Sequence, residues 1–329
     1  MEQTFYSKPL KYRNIGTAAG EAVDYINQRR HFKLQSLATK WPKFNNLCMG
    51  GIEPNVLYTI AGISGSGKSS FVNSLESDLF EQNPNANIAI LNFSWEMLSS
   101  RQVGRKLSYK LNKTTQDLYS GDYKNPLNDA DFKRVEDSVK DMKDLPIYYV
   151  DTPGTVEQVR ETIKEFVLNE GKGKWVIIIL DHTLLTKGKT GESERITLSN
   201  LQRLFIEVKK YSRNTIIQLS QLNRMIEESD RIANPSMHYP MRKDIFGADS
   251  LFHASDYVLV IHRPEIIGVV AYGLAGRPVK DLIYLHCLKN REGGLGIISF
   301  SNNLKYNRID EINLPEQLPT NEEQLQIKI

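Results

Sequence analysis

The sequence predicts an α/β fold, a mostly parallel twisted sheet flanked by helices on both faces. Three observations point there. Short β-rich runs alternate with helical stretches from about residue 38 onward, the order that builds parallel sheets. Several of these runs are almost continuously apolar, as strands buried on both faces are. A glycine-rich turn, Gly62-Ile-Ser-Gly-Ser-Gly-Lys-Ser69, joins the first run to the first long helical stretch.

Residues 1–16 are polar and irregular. Residues 17–34 have helical character, with Thr17 as a candidate N-cap. Their few apolar residues (Ala18, Ala22, Val23, Tyr25, Ile26) cannot build a core. Docking on something else and a plain surface helix both remain open. The expected strands are Val56–Ala61, Ile88–Phe93, Ile147–Val150, Trp175–Leu180, Thr215–Leu219, Tyr257–Ile261, Leu282–Leu288 and Gly296–Phe300. Helices are expected at 68–80, 97–111, 128–143, 155–169 and 196–212. Gly293, Gly294 and Gly296 between the last two strands predict a hairpin at one sheet edge. Residues 225–243 show no periodicity and hold two prolines. They read as a long loop, a feature that in compact domains is usually functional or disordered. Three regions follow: an N-terminal segment with its helix (1–37), the α/β domain (38–312) and a polar tail (313–329).

Composition removes several classes. Of 329 residues, 40% are hydrophobic and 25% charged, which excludes fibrous and wholly disordered chains. Lys plus Arg is 42 against 39 for Asp plus Glu. A net charge of +3 is too mild to imply nucleic acid, so any basic site must come from local clustering. The apolar run Trp175–Leu180 is far shorter than the roughly 20 residues a membrane helix needs, so no membrane partner is expected. The N-terminus lacks the apolar stretch of a secretory signal. Two isolated cysteines, Cys48 and Cys287, argue against a disulfide framework or a structural zinc, and for the cytoplasm.

The glycine-rich turn matches GxxxxGK[ST] in full and has the strand-before, helix-after context the motif requires. Glycines let the backbone wrap a phosphate chain with its N–H groups inward. The helix that follows adds the positive end of its dipole. Candidate nucleotide-binding residues are Gly62, Ser64, Gly65, Ser66, Gly67, Lys68, Ser69 and Ser70. Lys68 supplies a charge to the β- and γ-phosphates, and the Ser69 hydroxyl ligates Mg²⁺; ATP and Mg²⁺ are therefore the expected cofactors. A second metal ligand is needed. Asp181, closing the apolar run 175–180, sits where α/β sheets bind ligands. Hydrolysis also needs a group to orient or deprotonate water. Glu96 would stand beside the glycine-rich turn if its strand neighbours the first; it could equally be a helix-dipole partner. Gln221, at another strand tip, could sense a γ-phosphate or serve as a cap.

Together these pieces resemble the C-terminal RecA-like motor domain of DnaB-type replicative helicases. Asn92-Phe-Ser-Trp-Glu-Met97 is similar to that family's strand-then-Glu-Met motif, and Asp151-Thr-Pro-Gly-Thr155 to its stretch before the Walker B strand, here the run 175–180 ending in Asp181. The run Leu201–Arg224, closing in Leu-Ser-Gln-Leu-Asn-Arg, is the best match. Asp244-Ile-Phe-Gly, Ala254-Ser-Asp-Tyr and Lys289-Asn-Arg-Glu-Gly293 continue the series. The resemblance spans roughly residues 38–305 and implies a RecA-like fold. It implies a homohexameric ring round single-stranded DNA with active sites between subunits, and a primase or helicase loader as a further partner. It also implies Glu96 as catalytic base, Gln221 as γ-phosphate sensor, and Lys289 and Arg291 reaching a neighbour's nucleotide.

Departures from the family pattern are His182-Thr-Leu-Leu185 after the Walker B strand and Phe246 in place of an arginine. The 37 or so residues before the motor leave room for a linker helix but not for the family's helical N-terminal domain. The chain would then be either a stand-alone motor, in the cytoplasm of a bacterial cell or virus-infected host, or a distant relative with another task. By the resemblance, DNA would meet the loop after the Walker B strand, through Lys187 and Lys189, and the 225–243 segment, through Arg242 and Lys243. The expected function is an ATP-dependent ring helicase that translocates on single-stranded DNA and unwinds duplex in replication. The alternatives are a RecA-like ATPase for annealing, recombination or defence, and a nucleotide-gated assembly module with weak turnover.

Overall fold

The computed structural model describes residues 11–314, apart from Ser212, Pro235, Met237 and Ala275. The expected tail lies outside the described residues beyond 314. Two units separate after Ser36. In the first, helix α1 (Ile15–Arg30) carries no buried residue, and Arg29 and Arg30 lie in its last turn, where cations suit the dipole. Asn14, not Thr17, caps it: the Asn14 side chain accepts the Gly16 N–H at 2.7 Å. A cap needs an extended residue outside the helix, and Thr17 is already inside.

The second unit runs α2 (Pro42–Leu47), β1 (Leu57–Gly62), α3 (Lys68–Gln82), β2 (Ile88–Ser94), α4 (Ser99–Leu111), α5 (Thr115–Leu118), α6 (Asp129–Met142), β3 (Ile147–Val150), α7 (Val156–Leu168), β4 (Trp175–Asp181), α8 (Glu194–Val208), β5 (Asn214–Gln221), α9 (Ser229–Ala233), α10 (Ala248–Ala254), β6 (Tyr257–His262), β7 (Leu282–Asn290), β8 (Gly296–Asn303) and β9 (Arg308–Glu311). Among the described residues one sheet forms, in the order β3-β2-β4-β5-β1-β6-β7-β8-β9. The strands from β3 to β6 are parallel, and β7, β8 and β9 are antiparallel.

The near-continuous apolar runs follow from burial on both faces. Ile177 and Ile179 of β4 pack with Phe71, Val72 and Leu75 of α3. Their alternates, Ile178 and Leu180, pack with Val159 and Ile163 of α7 and Leu201, Leu204 and Phe205 of α8. Successive side chains on opposite faces thus each meet a helix layer. Helix α7 starts in a capping box between Thr155 and Gln158.

Two expectations are corrected. The hairpin β7–β8 exists, but the sheet edge is β9, whose Arg-Ile-Asp-Glu has one apolar side chain and no periodicity to read. The 225–243 segment is not an irregular loop. It holds α9 and 3-10 turns at Arg224–Glu227 and Arg242–Asp244. Its centre is a buried ion pair, Arg231 to both Asp244 oxygens at 2.7 and 3.0 Å. Arg231 also donates to the carbonyls of Met225 (3.2 Å) and Tyr239 (2.9 Å). Polar residues without periodicity can still order when one arginine satisfies several carbonyls at once.

Candidate nucleotide-binding and catalytic site

Of the expected site residues, the glycine-rich turn, Asp181 and Gln221 meet at the carboxyl edge of the parallel strands. Register pairs Gly62 of β1 with Gln221 of β5, and Ser94 of β2 with Asp181 of β4. The strand order therefore sets Ser94, Asp181, Gln221 and Gly62 in one row. Gly62 must be glycine: a Cβ there would lie 2.5 Å from the Ile261 carbonyl oxygen and 2.5 Å from Ser66 Oγ. Gly65 and Gly67 take φ of 74° and 104°, the left-handed region that favours glycine. Gly67 is the N-cap of α3, so the loop delivers its N–H groups to the helix's positive end. Ser64 is exposed, whereas Ser66 and Ser70 are buried.

Lys68 lies back on the loop, its Nζ donating to the carbonyls of Gly62 (2.7 Å) and Ile63 (2.9 Å). Burial pulls its pKa down, opposed by the charges of Asp181 and Glu96. Ser69 Oγ donates to Asp181 Oδ2 at 3.3 Å. Asp181 Oδ1 is buried and has no hydrogen-bond partner. Burial, and then the charge of Glu96, push the Asp181 carboxyl up to about 6, with Lys68 opposing. A hydroxyl beside a desolvated carboxylate with one orphaned oxygen fits a hard divalent cation. Among the described residues no cluster of three or more His, Cys, Asp and Glu forms a metal cage.

Glu96 reaches the site by a different route from the one expected. Its strand does not neighbour β1, because β4 and β5 intervene. The turn after β2 carries it in. The Trp95 N–H donates to the Asp181 carbonyl at 3.1 Å. Ser94 Oγ donates to the Met97 carbonyl (2.6 Å) and accepts from Gln102 Nε2 (3.1 Å). The Glu96 charge then acts on both Asp181 and Lys68. Gln221 Nε2 lies 3.3 Å from His182 Nε2. Burial lowers the His182 pKa and favours its neutral form. His182 and Arg105, whose charge also acts on Asp181, were not among the expected site residues. Arg105 carried a faint signal, being spaced one helical turn after Arg101 behind Glu96.

Lys289 and Arg291 do not join this row. Strand β7 runs antiparallel, so Asn290 pairs with Tyr257, and Tyr257 pairs with Tyr58 near the start of β1. Tyr58 to Gly62 is about 13 Å of strand, so these cations stand at the opposite edge from their own chain's glycine-rich turn. Lys187 is exposed, with its N–H on the Gly154 carbonyl at 2.9 Å. Lys189 pairs with Glu157 at 2.8 Å, an exposed contact of little strength. Arg242 pairs with Asp249 at 2.8 Å and stacks on Phe252, while Lys243 is exposed. The loops bearing these four residues leave the neighbouring strands β4 and β5. Phe246 hydrogen-bonds through its N–H to the Gln221 carbonyl at 2.9 Å.

A strand–turn–helix phosphate cradle, a desolvated carboxylate two strands away and a mostly parallel sheet define a P-loop nucleotide-binding domain. A family model described as the DnaB-like helicase C terminal domain matches residues 36–311. The chain belongs to that family, and membership implies a nucleotide-dependent activity. It is 28% identical over 181 residues to the replicative DNA helicase DnaB of Mycobacterium leprae, covering 54% of this chain and 28% of the relative. It is 24% identical over 282 residues to that of Buchnera aphidicola subsp. Baizongia pistaciae, covering 84% of this chain and 56% of the relative. The chain thus spans about half, or less, of the length of the curated relatives it matches. A solved structure described as an ATPase domain superposes with a TM-score of 0.75 at 16% identity, covering 89% of this chain and 98% of that one. A DnaB-like replicative helicase, described with its interactions with primase, gives 0.71 at 16%, covering 91% and 67%. These likenesses speak to the fold. No helix among the described residues is long and apolar enough to cross a membrane.

Proposed function

We propose that the chain is the motor of an ATP- and Mg²⁺-dependent ring helicase that moves on single-stranded DNA and unwinds duplex in replication. The observation that carries this is the split site. Phosphate cradle, Asp181, Glu96 and Gln221 share one sheet edge, and Lys289 and Arg291 stand at the other. Backbone N–H groups of residues 62–70 bind the phosphate chain, and Lys68 swings from its loop carbonyls to the β- and γ-oxygens. Ser69 and Asp181 would hold the metal, which supplies charge neutralisation to the phosphates when bound. Glu96 orients water and takes its proton, and Gln221 contacts the γ-phosphate. Arg291, with Lys289, serves the adjacent subunit's nucleotide, which ties hydrolysis to assembly in a homohexamer. Helix α1 serves as the linker helix of that assembly, and a primase or loader is a further partner. The buried free thiols of Cys48 and Cys287 suit a reducing cytoplasm.

Steady-state ATP hydrolysis with and without single-stranded DNA, with Lys68→Ala as control, tests the reading. DNA is expected to stimulate turnover, and the control to remove it. Robust hydrolysis indifferent to DNA would argue instead for another RecA-like task.

Lys187 and Lys189 line the loop proposed to touch DNA. Replacing both with Ala should weaken binding and reduce the slope of log affinity against log salt by about 1.4 for each chain that contacts single-stranded DNA. An unchanged slope moves the DNA path elsewhere.

A further inference from the structure

Arg291 is not a loose surface cation. Its Nη2 donates to the His253 carbonyl at 3.0 Å, and its Nε lies 3.5 Å from Asp256 Oδ1. The Arg291 N–H donates to the Asp256 carbonyl at 3.2 Å. The other carboxylate oxygen, Oδ2, accepts from the Leu57 N–H at 2.8 Å and from Lys209 Nζ. The carboxylate is therefore fixed to the start of β1 and to the end of α8, and it forms an ion pair with the near end of the Arg291 guanidinium. The Asp256 side chain is 12% exposed and that of Arg291 49%. Nη1 makes no hydrogen bond among the described residues.

The surroundings make this carboxylate hard to replace. Lys209, Arg242 and Arg291 all act on Lys289 here. Burial lowers the Lys289 pKa, Arg291, Lys209 and Arg242 lower it further, and Asp256 opposes them. Arg242 has its own exposed carboxylate, Asp249. Without Asp256 the other three cations would repel, and Arg291 would lose its defined direction. A guanidinium paired at Nε and bonded at Nη2 still keeps Nη1 for a second anion, a geometry lysine cannot reproduce.

We propose that Asp256 is the positioning residue for Arg291, pairing with Nε while Nη2 rests on the His253 carbonyl, so that Nη1 is left for the phosphates of a neighbouring subunit's nucleotide. This rests on the reading of Arg291 as a residue acting in trans.

The test measures steady-state ATP turnover of the full chain for Asp256→Asn, Arg291→Ala and the double variant, with ATP titrated. Asp256→Asn should lower kcat about 10- to 100-fold, as small misplacements of a reacting group do, with KM for ATP within about twofold. Arg291→Ala should lose at least as much, and the double variant no more than Arg291→Ala alone. Lys209→Gln cuts the carboxylate's other ion pair. It should lower the melting temperature but leave kcat within about twofold. Parental turnover in Asp256→Asn beside a dead Arg291→Ala overturns the positioning role and spares the trans reading. Parental turnover in Arg291→Ala overturns the trans reading itself. A further loss in the double variant, or an equal kcat loss in Lys209→Gln, shows a structural role and overturns the proposal. If Asp256→Asn does not fold, Arg291→Lys decides. Turnover as low as Arg291→Ala supports the held-guanidinium geometry, and near-parental turnover refutes it.

Discussion

Arg291→Ala is expected to reduce ATP turnover about a thousandfold or more while ATP binding survives. The size follows from what a guanidinium does in phosphoryl transfer. It meets charge that develops on the transferring group, in a site closed to water, so its loss falls on the transition state and not on the ground state. Binding survives because the phosphate cradle, Lys68 and Ser69 belong to the other sheet edge. The distance between the edges adds a stronger test. Mixed assemblies of Arg291→Ala and Lys68→Ala subunits should recover activity that neither has alone. An Arg291→Ala cradle beside a Lys68→Ala neighbour regains its arginine, which random mixing provides at about a quarter of interfaces. No recovery in verified mixed assemblies would mean that the arginine does not act across the interface.

The second large effect has two opposite signs. Asp181→Asn should abolish metal-dependent turnover and yet stabilise the nucleotide-free protein. In the folded chain the Asp181 carboxyl rises from 3.8 to about 6. The unfolded chain therefore loses this proton first as pH rises, and stability contributed at Asp181 falls between about pH 4 and 6, then levels off. At neutral pH the accumulated cost is roughly 3 kcal/mol, to order of magnitude. Asparagine has no such titration. Denaturant unfolding of parent and variant should give a difference that grows across that window and is largest at pH 7. Mg²⁺ with nucleotide should then stabilise the parent and not the variant. A difference independent of pH would show that the buried charge of Asp181 carries no strain.

How much of this was legible in the sequence depended on whether the signal was local. The glycine-rich turn, Asp181 and Gln221 could be read because each is strand-end chemistry, fixed by its immediate neighbours. The strand runs were legible because two helix layers force β4 and its neighbours to be apolar on both faces. Strand order was not local, so Glu96 was expected beside the cradle through a pairing that does not exist. Its true support, the Trp95 N–H on the Asp181 carbonyl, joins residues far apart in sequence. Strand β9 stayed hidden because only Ile309 of its four residues is buried. Asp256 stood inside a matched motif and His182 at a departure from one, but neither position told what the side chain touches, because Lys209, Arg291 and Gln221 lie far away in sequence.

The described residues between Asn223 and Ile245 are tied together. Leu222 bridges Ile245, Asn223 Nδ2 donates to the Lys243 carbonyl at 2.6 Å, and Arg231 ties the interior to Asp244. A limp chain reaching for a polyanion must surrender its freedom at each new grip, and that entropy is subtracted from the grip. Here the surrender is made once, during folding. If Arg242 and Lys243 do meet a DNA strand, each step along it begins from a surface already set, and attachment and release can both be fast because no chain has to be ordered or melted between them.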